Sequence, residues 1–127
     1  MNDLKSSVAA AASGMQSQAN RLRPVSENIA NADTPGFHRK IITFRELADD
    51  PGDTRAVEAS RISLDRSELE RVYDPSNPLA DENGYYDGSN VGMMIEVADA
   101  REAQRSYEAN LRMFDQSRRM LNSLFDL

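Results

Sequence analysis

One histidine, no cysteine and one acidic stretch are all that this sequence offers to covalent or metal chemistry. His38 follows the Pro35-Gly36 turn and stands beside Arg39 and Lys40. Without cysteine there is no thiol nucleophile, disulfide framework or zinc-thiolate site, and no Ser-His-Asp arrangement can be built around His38. It reads as a solvated loop histidine. Asp81, Glu82, Asn83 and Asp87 invite a calcium loop. However, no register places oxygen side chains at loop positions one, three, five and twelve with Gly at six. A turn with Asn83-Gly84 at its tip accounts for the same residues. The glycines are scattered among turns, so no phosphate or dinucleotide loop is present. Carboxylates abound, but nothing gathers a pair into a cleft. No catalytic, cofactor-binding or metal-binding residue is assigned, and the expectation is that the chain is not an enzyme.

The pattern that does stand out is helical. Leu4, Val8, Ala11, Met15, Gln18, Leu22, Val25 and Ile29 alternate by four and three and are apolar except for Gln18. That is the 3.5-residue period of a coiled-coil seam. The helix must stop near Asn31 to Asp33, because Thr34 precedes Pro35 and Gly36 follows. Gly14 interrupts the pattern at a cost of about 1 kcal/mol relative to Ala: it either permits close helix approach, the reading that the small face of Ala9 to Ala12 favours, or is a tolerated weak point. A second seam runs through Met93, Val97, Ala100, Gln104, Tyr107, Leu111, Phe114, Arg118, Leu121 and Phe125. Glu108 with Arg112 and Asp115 with Arg119 are spaced as supporting i,i+4 pairs, and Ser89 or Asn90 is expected as N-cap. Each helix of about 30 residues would reach about 45 Å.

Between the helices, Lys40 to Phe44 has strand composition, and Ala56 to Leu64 and Leu69 to Tyr73 are weaker strand candidates. Pro51-Gly52, Asp74-Pro75, Asn77-Pro78, Asn83-Gly84 and Asp87-Gly88 signal turns. Tyr73, Tyr85 and Tyr86 suit either cross-strand packing or an interface. The pairing of the strands is left open. The fold class expected is mainly α with a small β part: two long terminal helices forming a coiled-coil-like pair, and a short-stranded middle. The divisions are 1–32, 33–90 and 91–127.

Composition limits what such a chain can do alone. It has 127 residues, 39% hydrophobic and 6% aromatic, with no Trp. That is thin material for an independent core, since small chains bury a low fraction of their surface. The net charge of -6 disfavours nonspecific contact with nucleic acid or an anionic membrane. Only Lys5 and Lys40 are lysines among 15 basic residues; arginine suits planar, multi-donor contacts between proteins, and an ordinary genomic preference for arginine explains the bias equally well. The longest apolar run, Val8 to Ala12, is too short to span a bilayer, so no direct membrane insertion is expected. The N-terminus does not read as a signal peptide, since Asp3 offsets Lys5 and serines flank the alanines.

The stretch Asn28 to Phe37, N-I-A-N-A-D-T-P-G-F, closely resembles the signature shared by flagellar axial proteins of the rod and hook. Ala12-Ser13-Gly14-Met15 and Ser26-Glu27-Asn28 resemble the first helix of that family. Val72 to Tyr86, V-Y-D-P-S-N-P-L-A-D-E-N-G-Y-Y, and Ser106 to Leu111, S-Y-E-A-N-L, narrow the likeness to a proximal rod subunit of the flagellar basal body. The likeness spans nearly the whole chain in the right order. One departure lies before the last helix: Gly88-Ser89-Asn90-Val91 and Gly92 stand where the family carries a Pro-Asn-Val type entry.

The resemblance implies a self-assembling structural subunit of a hollow drive shaft that transmits torque and passes exported subunits. It implies a place in the periplasmic rod, reached through the flagellar type III export apparatus without a cleaved signal peptide. The implied partners are copies of itself, other flagellar rod proteins, the export-gate junction protein and the surrounding membrane ring; no nucleic acid and no cofactor are implied. The residues expected to carry assembly are Asn28, Ile29, Asn31, Thr34, Pro35, Gly36 and Phe37 in the elbow. Leu22, Val25, Tyr107, Leu111, Phe114 and Leu121 are expected to act with them along the seams. Asn28 and Asn31 share a face at the helix end, where amides can satisfy orphan carbonyls or the next loop. Outside this reading stand another rod subunit, or a cytoplasmic coiled-coil adaptor.

Overall fold

A computed structural model describes residues 2–47 and 56–126. Helix α1 runs Asn2–Ala30, strands β1 Lys40–Leu47 and β2 Ala56–Leu64 follow, then β3 Arg71–Tyr73, β4 Tyr85–Asp87 and helix α2 Met93–Phe125. The mainly helical class with a small β part is therefore what the chain adopts. The turn signals at Pro51-Gly52 lie outside the described residues.

β1 and β2 form an antiparallel hairpin that pairs Lys40 with Leu64 and Ile42 with Ile62. A register shift between Thr43 and Phe44 leaves Ser60 as the extra residue of a bulge. β3 and β4 form a second two-stranded sheet, Val72 opposite Tyr86 and Tyr73 opposite Tyr85. β4 has no signal in the sequence, since three residues beside a turn carry no readable alternation. Gly84 (φ 86°) closes the turn before it, and Tyr73 and Tyr85 pack at 5.1 Å between ring centroids. Tyr73 and Tyr85 thus pack across the strands. A lone two-stranded ribbon is marginal in water, so this pair and the ion pairs of Arg71 with Asp81 (2.8 Å) and Asp87 (2.9 Å) matter locally.

The helices lie antiparallel. Gly14 faces Asn110, where a Cβ would come within 2.8 Å of the amide. Further along, Arg21 reaches Asp99 and Glu102, and Asn28 reaches Glu96. The glycine is thus a close-approach residue. Pro24 leaves the carbonyl of Asn20 without its helical donor, yet the helix continues through it. Its buried ring lines a cavity with Val25, Ile41, Ile42 and Phe44 beneath the hairpin.

The first seam holds: Leu4, Val8, Ala11, Met15, Gln18, Leu22, Val25 and Ile29 are all buried or half-buried. The second is rotated by one residue. Ala100, Tyr107, Phe114 and Leu121 do face inward, but their companions are Glu96, Ala103, Asn110 and Ser117. Met93, Val97, Gln104, Leu111, Arg118 and Phe125 are exposed. The reason is packing distance: with Gly14 and Ala11 opposite, small and polar side chains let the helices close, and Leu or Val would hold them apart.

Apolar burial is slight. Among the described residues only Ala11, Val25 and Ala103 form the buried hydrophobic set. The exposed surface is 9192 Å², whereas a compact monomer of this mass would show about 6,800 Å². The expected N-caps are also corrected. Gly92 precedes α2 with no side-chain cap bond, because the amide and hydroxyl of Asn90 and Ser89 are committed elsewhere. Nor do Glu108–Arg112 and Asp115–Arg119 close; the ion pairs formed between described residues all cross between segments.

Candidate functional site

At the end of α1 the chain turns through Asn31 to Phe37. Asn31 Nδ2 donates to the Glu27 carbonyl (2.8 Å), which also accepts the Asn31 backbone N–H (3.0 Å), so one acceptor holds the residue twice at the last turn. Its Oδ1 accepts from Thr34 Oγ1 (3.1 Å), and the Thr34 and Asn31 backbones are bonded at 3.0 Å. Gly36 takes φ 75°, the left-handed region open to glycine. Its N–H donates to the carbonyls of Asp87 (3.2 Å) and Gly88 (3.0 Å), which ties the elbow to the end of β4. Ser89 Oγ donates to the Ala32 carbonyl, and Asn90 N–H to Phe37 O (3.3 Å). The Gly88-Ser89-Asn90 departure is therefore the strip against which the elbow is held.

Asn28 does something different from Asn31, though the two were expected to act alike. It is fully buried. Its Oδ1 accepts from Lys40 N–H (2.7 Å), and its Nδ2 donates to Lys40 O (2.9 Å) and to Glu96 Oε2 (3.2 Å). One amide thus mimics a strand partner for β1 and also binds a carboxylate on α2. Glu96, likewise fully buried, accepts from Arg39 Nε at 2.7 Å. Arg39 also reaches Asp99 (3.4 Å) and Asp65 (3.5 Å). Burial works against the Arg39 charge, but the Glu96 bond and the charges of Glu96 and Asp99, with the Asp65 bond, outweigh it and hold its pKa above the ordinary arginine value. Asn90 completes the group, accepting from Arg39 N–H (2.6 Å) and donating to the carbonyls of Asp65 (2.9 Å) and Ser67 (3.3 Å). Nothing local in the sequence links Glu96 to Arg39. A single buried carboxylate on a long charged helix has no periodic signal.

His38 is half-buried, and its Nδ1–H donates to Asp65 O (3.1 Å). The expectation of a solvated loop histidine is corrected: it belongs to the elbow's packing. Asp65 lies below the ordinary carboxylate range, first because Ser67 donates to it through its backbone and hydroxyl, and further because Arg39 adjoins it. Asp81 is lowered by the Tyr85 N–H, then by Arg71 and the Asn83 N–H. Both stabilise the native turns above the unfolded carboxylate value of about 4, and the contribution disappears as pH falls through the lowered native values. Acidification from pH 5 to 2 should therefore open the 65–67 and 81–85 turns. Carboxyl NMR titration with amide exchange would show this, and turns equally protected at pH 5 and 2 would contradict it.

Of the other expected residues, Val25 is buried. Leu22, Ile29, Phe37, Tyr107, Phe114 and Leu121 are half-buried, and Thr34, Pro35, Gly36 and Leu111 are exposed. Leu22 and Tyr107 share one cavity wall with Ala19 and Glu108.

Outside the seam, α2 carries two apolar flanks. At 100° per residue, Val97, Leu111 and Phe125 fall on one side of the inward line and Ile95, Met113 and Met120 on the other, whereas Met93 and Leu124, a heptad from Ala100 and Ser117, continue the line itself. All eight are exposed. Scattered exposed apolar residues are ordinary, but contiguous stripes mark contact surfaces. Between the flanks, opposite the seam, lie Arg101, Arg105, Glu108, Arg112, Asp115 and Arg119, all exposed. Among the described residues no helix is long and apolar enough to cross a membrane, and no cluster suited to a metal ion is found.

Comparison with known proteins places these features in a family. Residues 9–38 match the family model described as flagella basal body rod protein, and residues 82–127 match that of flagellar basal body rod FlgEFG protein C-terminal. The flagellar basal-body rod protein FlgC of Agrobacterium fabrum is 43% identical over 134 residues, covering 100% of this chain and 96% of that protein. FlgC of Aquifex aeolicus is 33% identical, covering 99% and 98%. FlgC of Salmonella typhimurium is 31% identical, covering 87% of each.

Proposed function

Since the chain belongs to the FlgC family of flagellar basal-body rod proteins, and is a structural subunit of that rod which assembles with other flagellar axial proteins, we propose that α2 is its assembly helix. The observation that carries this reading is the pair of exposed apolar flanks on α2. One helix with two such flanks, beside a seam already occupied by α1, has room for a neighbour on each side. Contacts that use different surfaces on the two partners generate rings or, where the rotation does not close, helical arrays, rather than closed dimers. Residues 1–32 and 91–127 form the inner rod core, and 33–90 the elbow and small outer part. Asn28, Asn31, Thr34, Pro35, Gly36 and Phe37 fix the angle between them; Leu22, Val25, Ile29, Tyr107, Phe114 and Leu121 shape the helix pair; and Leu111 meets a neighbour. The subunit sits in the proximal rod. It reaches that place through the flagellar type III apparatus, and the export-gate junction protein and membrane ring adjoin it. No reaction is catalysed.

The subunit's free state follows from the thin core. Helices seldom persist in water without a packed apolar face. Most of that face on α2 is left for neighbours, so the helix ends farthest from the elbow, before Gly14 on α1 and after Ser117 on α2, order on assembly. Electron microscopy of basal bodies from cells lacking this chain tests the reading. Membrane rings without a complete rod are expected, and intact hooks would overturn it. The elbow is open to a finer probe. Asn31→Ala removes the bonds to Glu27 and Thr34, each worth about 1 kcal/mol. The variant is expected to stay soluble and to swim poorly. Wild-type swimming would reduce Asn31 to a helix stop.

A further inference from the structure

We infer that the joint of Asn28, Arg39, Asn90 and Glu96 is a register lock, ordered in the free subunit before any neighbour is present, that dictates how α1 and α2 align. The helix seam itself carries little information about alignment. On α1 it presents Ala11, Gly14 and Ser17, and on α2 Ala103, Asn110 and Ser117. Slipping one helix by a heptad would set Gly14 against Ala103 or Ser117 in place of Asn110, and each of these small side chains fits against glycine. The large inward side chains, Tyr107, Phe114 and Leu121 on α2 and Val8, Met15, Leu22 and Ile29 on α1, recur at heptad spacing, so the same slip exchanges one bulky side chain for another.

The joint does discriminate. Glu96 is fully buried and draws its two partners from different segments: Asn28 at the end of α1 and Arg39 at the head of β1. In a slipped pair that carboxylate would face neither donor, and a buried charge stripped of its partners is costly. Fixing a register is the best-attested use of buried polar groups between helices. The joint is also complete within one chain. Asn28 bonds through both amide atoms, and Asn90 likewise, so neither waits for a second molecule. The lock therefore acts ahead of the lattice and hands the two helix arms to it already aligned. This inference concerns the isolated subunit. It draws on the rod reading only for its purpose, so a failed test here leaves that reading standing.

The absence of cysteine makes the register directly measurable. Gly14→Cys with Asn110→Cys reports the native alignment. Gly14→Cys with Ala103→Cys, or with Ser117→Cys, reports a heptad slip. In dilute full-length monomer the native pair should oxidise at least about tenfold faster than either slipped pair. Adding Glu96→Ala should erase most of that preference. Adding Val25→Ala, which removes buried apolar bulk and leaves the joint intact, should preserve it. No native preference in the unmodified joint would overturn order before assembly. A preference untouched by Glu96→Ala, or lost equally with Val25→Ala, would overturn the lock.

Discussion

Glutamate in place of Leu111 or Met113 should abolish swimming while leaving the free subunit as stable as before. Leu111 and Met113 lie on opposite flanks of α2 and are exposed in the single chain. A surface substitution of this kind shifts monomer stability by no more than about 0.5 kcal/mol. On the proposed packing, each flank meets a neighbour in the assembled rod. There an unpaired carboxylate loses its water, and the penalty is several kcal/mol per ion. The same arithmetic predicts a stronger phenotype than simple loss. A subunit with one flank intact still joins a growing rod and then presents a spoiled surface to the next molecule. Leu111→Glu or Met113→Glu expressed beside the wild-type chain should therefore suppress swimming. The comparison needs three measurements: thermal unfolding of the purified monomer, swimming in the deletion strain, and swimming with both copies present. Full motility with either variant would mean that its flank meets no neighbour.

Asn28→Ala should be the most damaging single truncation within the subunit. It removes three hydrogen bonds and leaves Lys40 N–H, Lys40 O and one Glu96 oxygen to find new partners in a buried place. Each stranded group costs about 1–3 kcal/mol, so a loss of roughly 3–5 kcal/mol is expected after partial relaxation. Small domains hold only about 5–15 kcal/mol in all. By contrast Asn31→Ala, three residues on and alike in sequence, gives up two local bonds at the elbow's surface. Urea unfolding of the two variants should separate them by about 2 kcal/mol or more. Equal losses would show that Asn28 is replaced by water without penalty.

That contrast marks where the sequence is readable. Helix limits, the strands Lys40 to Phe44 and Ala56 to Leu64, and the stop before Pro35 all follow from local signals, because turn chemistry and periodicity act over a few residues. The alignment of α2 does not. A four-three spacing identifies Ala100, Tyr107, Phe114 and Leu121 but leaves two companion sets, one on each side. The more apolar set, Val97, Leu111 and Phe125, looks like the seam, yet Glu96, Ala103, Asn110 and Ser117 occupy it. The rule that the greasiest stripe faces the partner helix fails where close approach at Gly14 admits only small and polar side chains. The joint was half legible. Asn28 drew notice through its motif, whereas Arg39 and Glu96 are 57 residues apart, and nothing local links them.

The rotated seam turns the usual map of mutational tolerance inside out. In most domains the interior resists change and the surface absorbs it. On α2 the inner line is served by Ala, Ser and Asn, so modest exchanges among small residues there should be borne easily. Val97, Met113 and Met120, open to solvent in the lone chain, should be the positions where swimming cells reject polar replacements. A saturation screen scored on motility would thus trace the outline of the neighbours from one subunit's sequence. The same screen scored on solubility of the isolated chain would trace the joint.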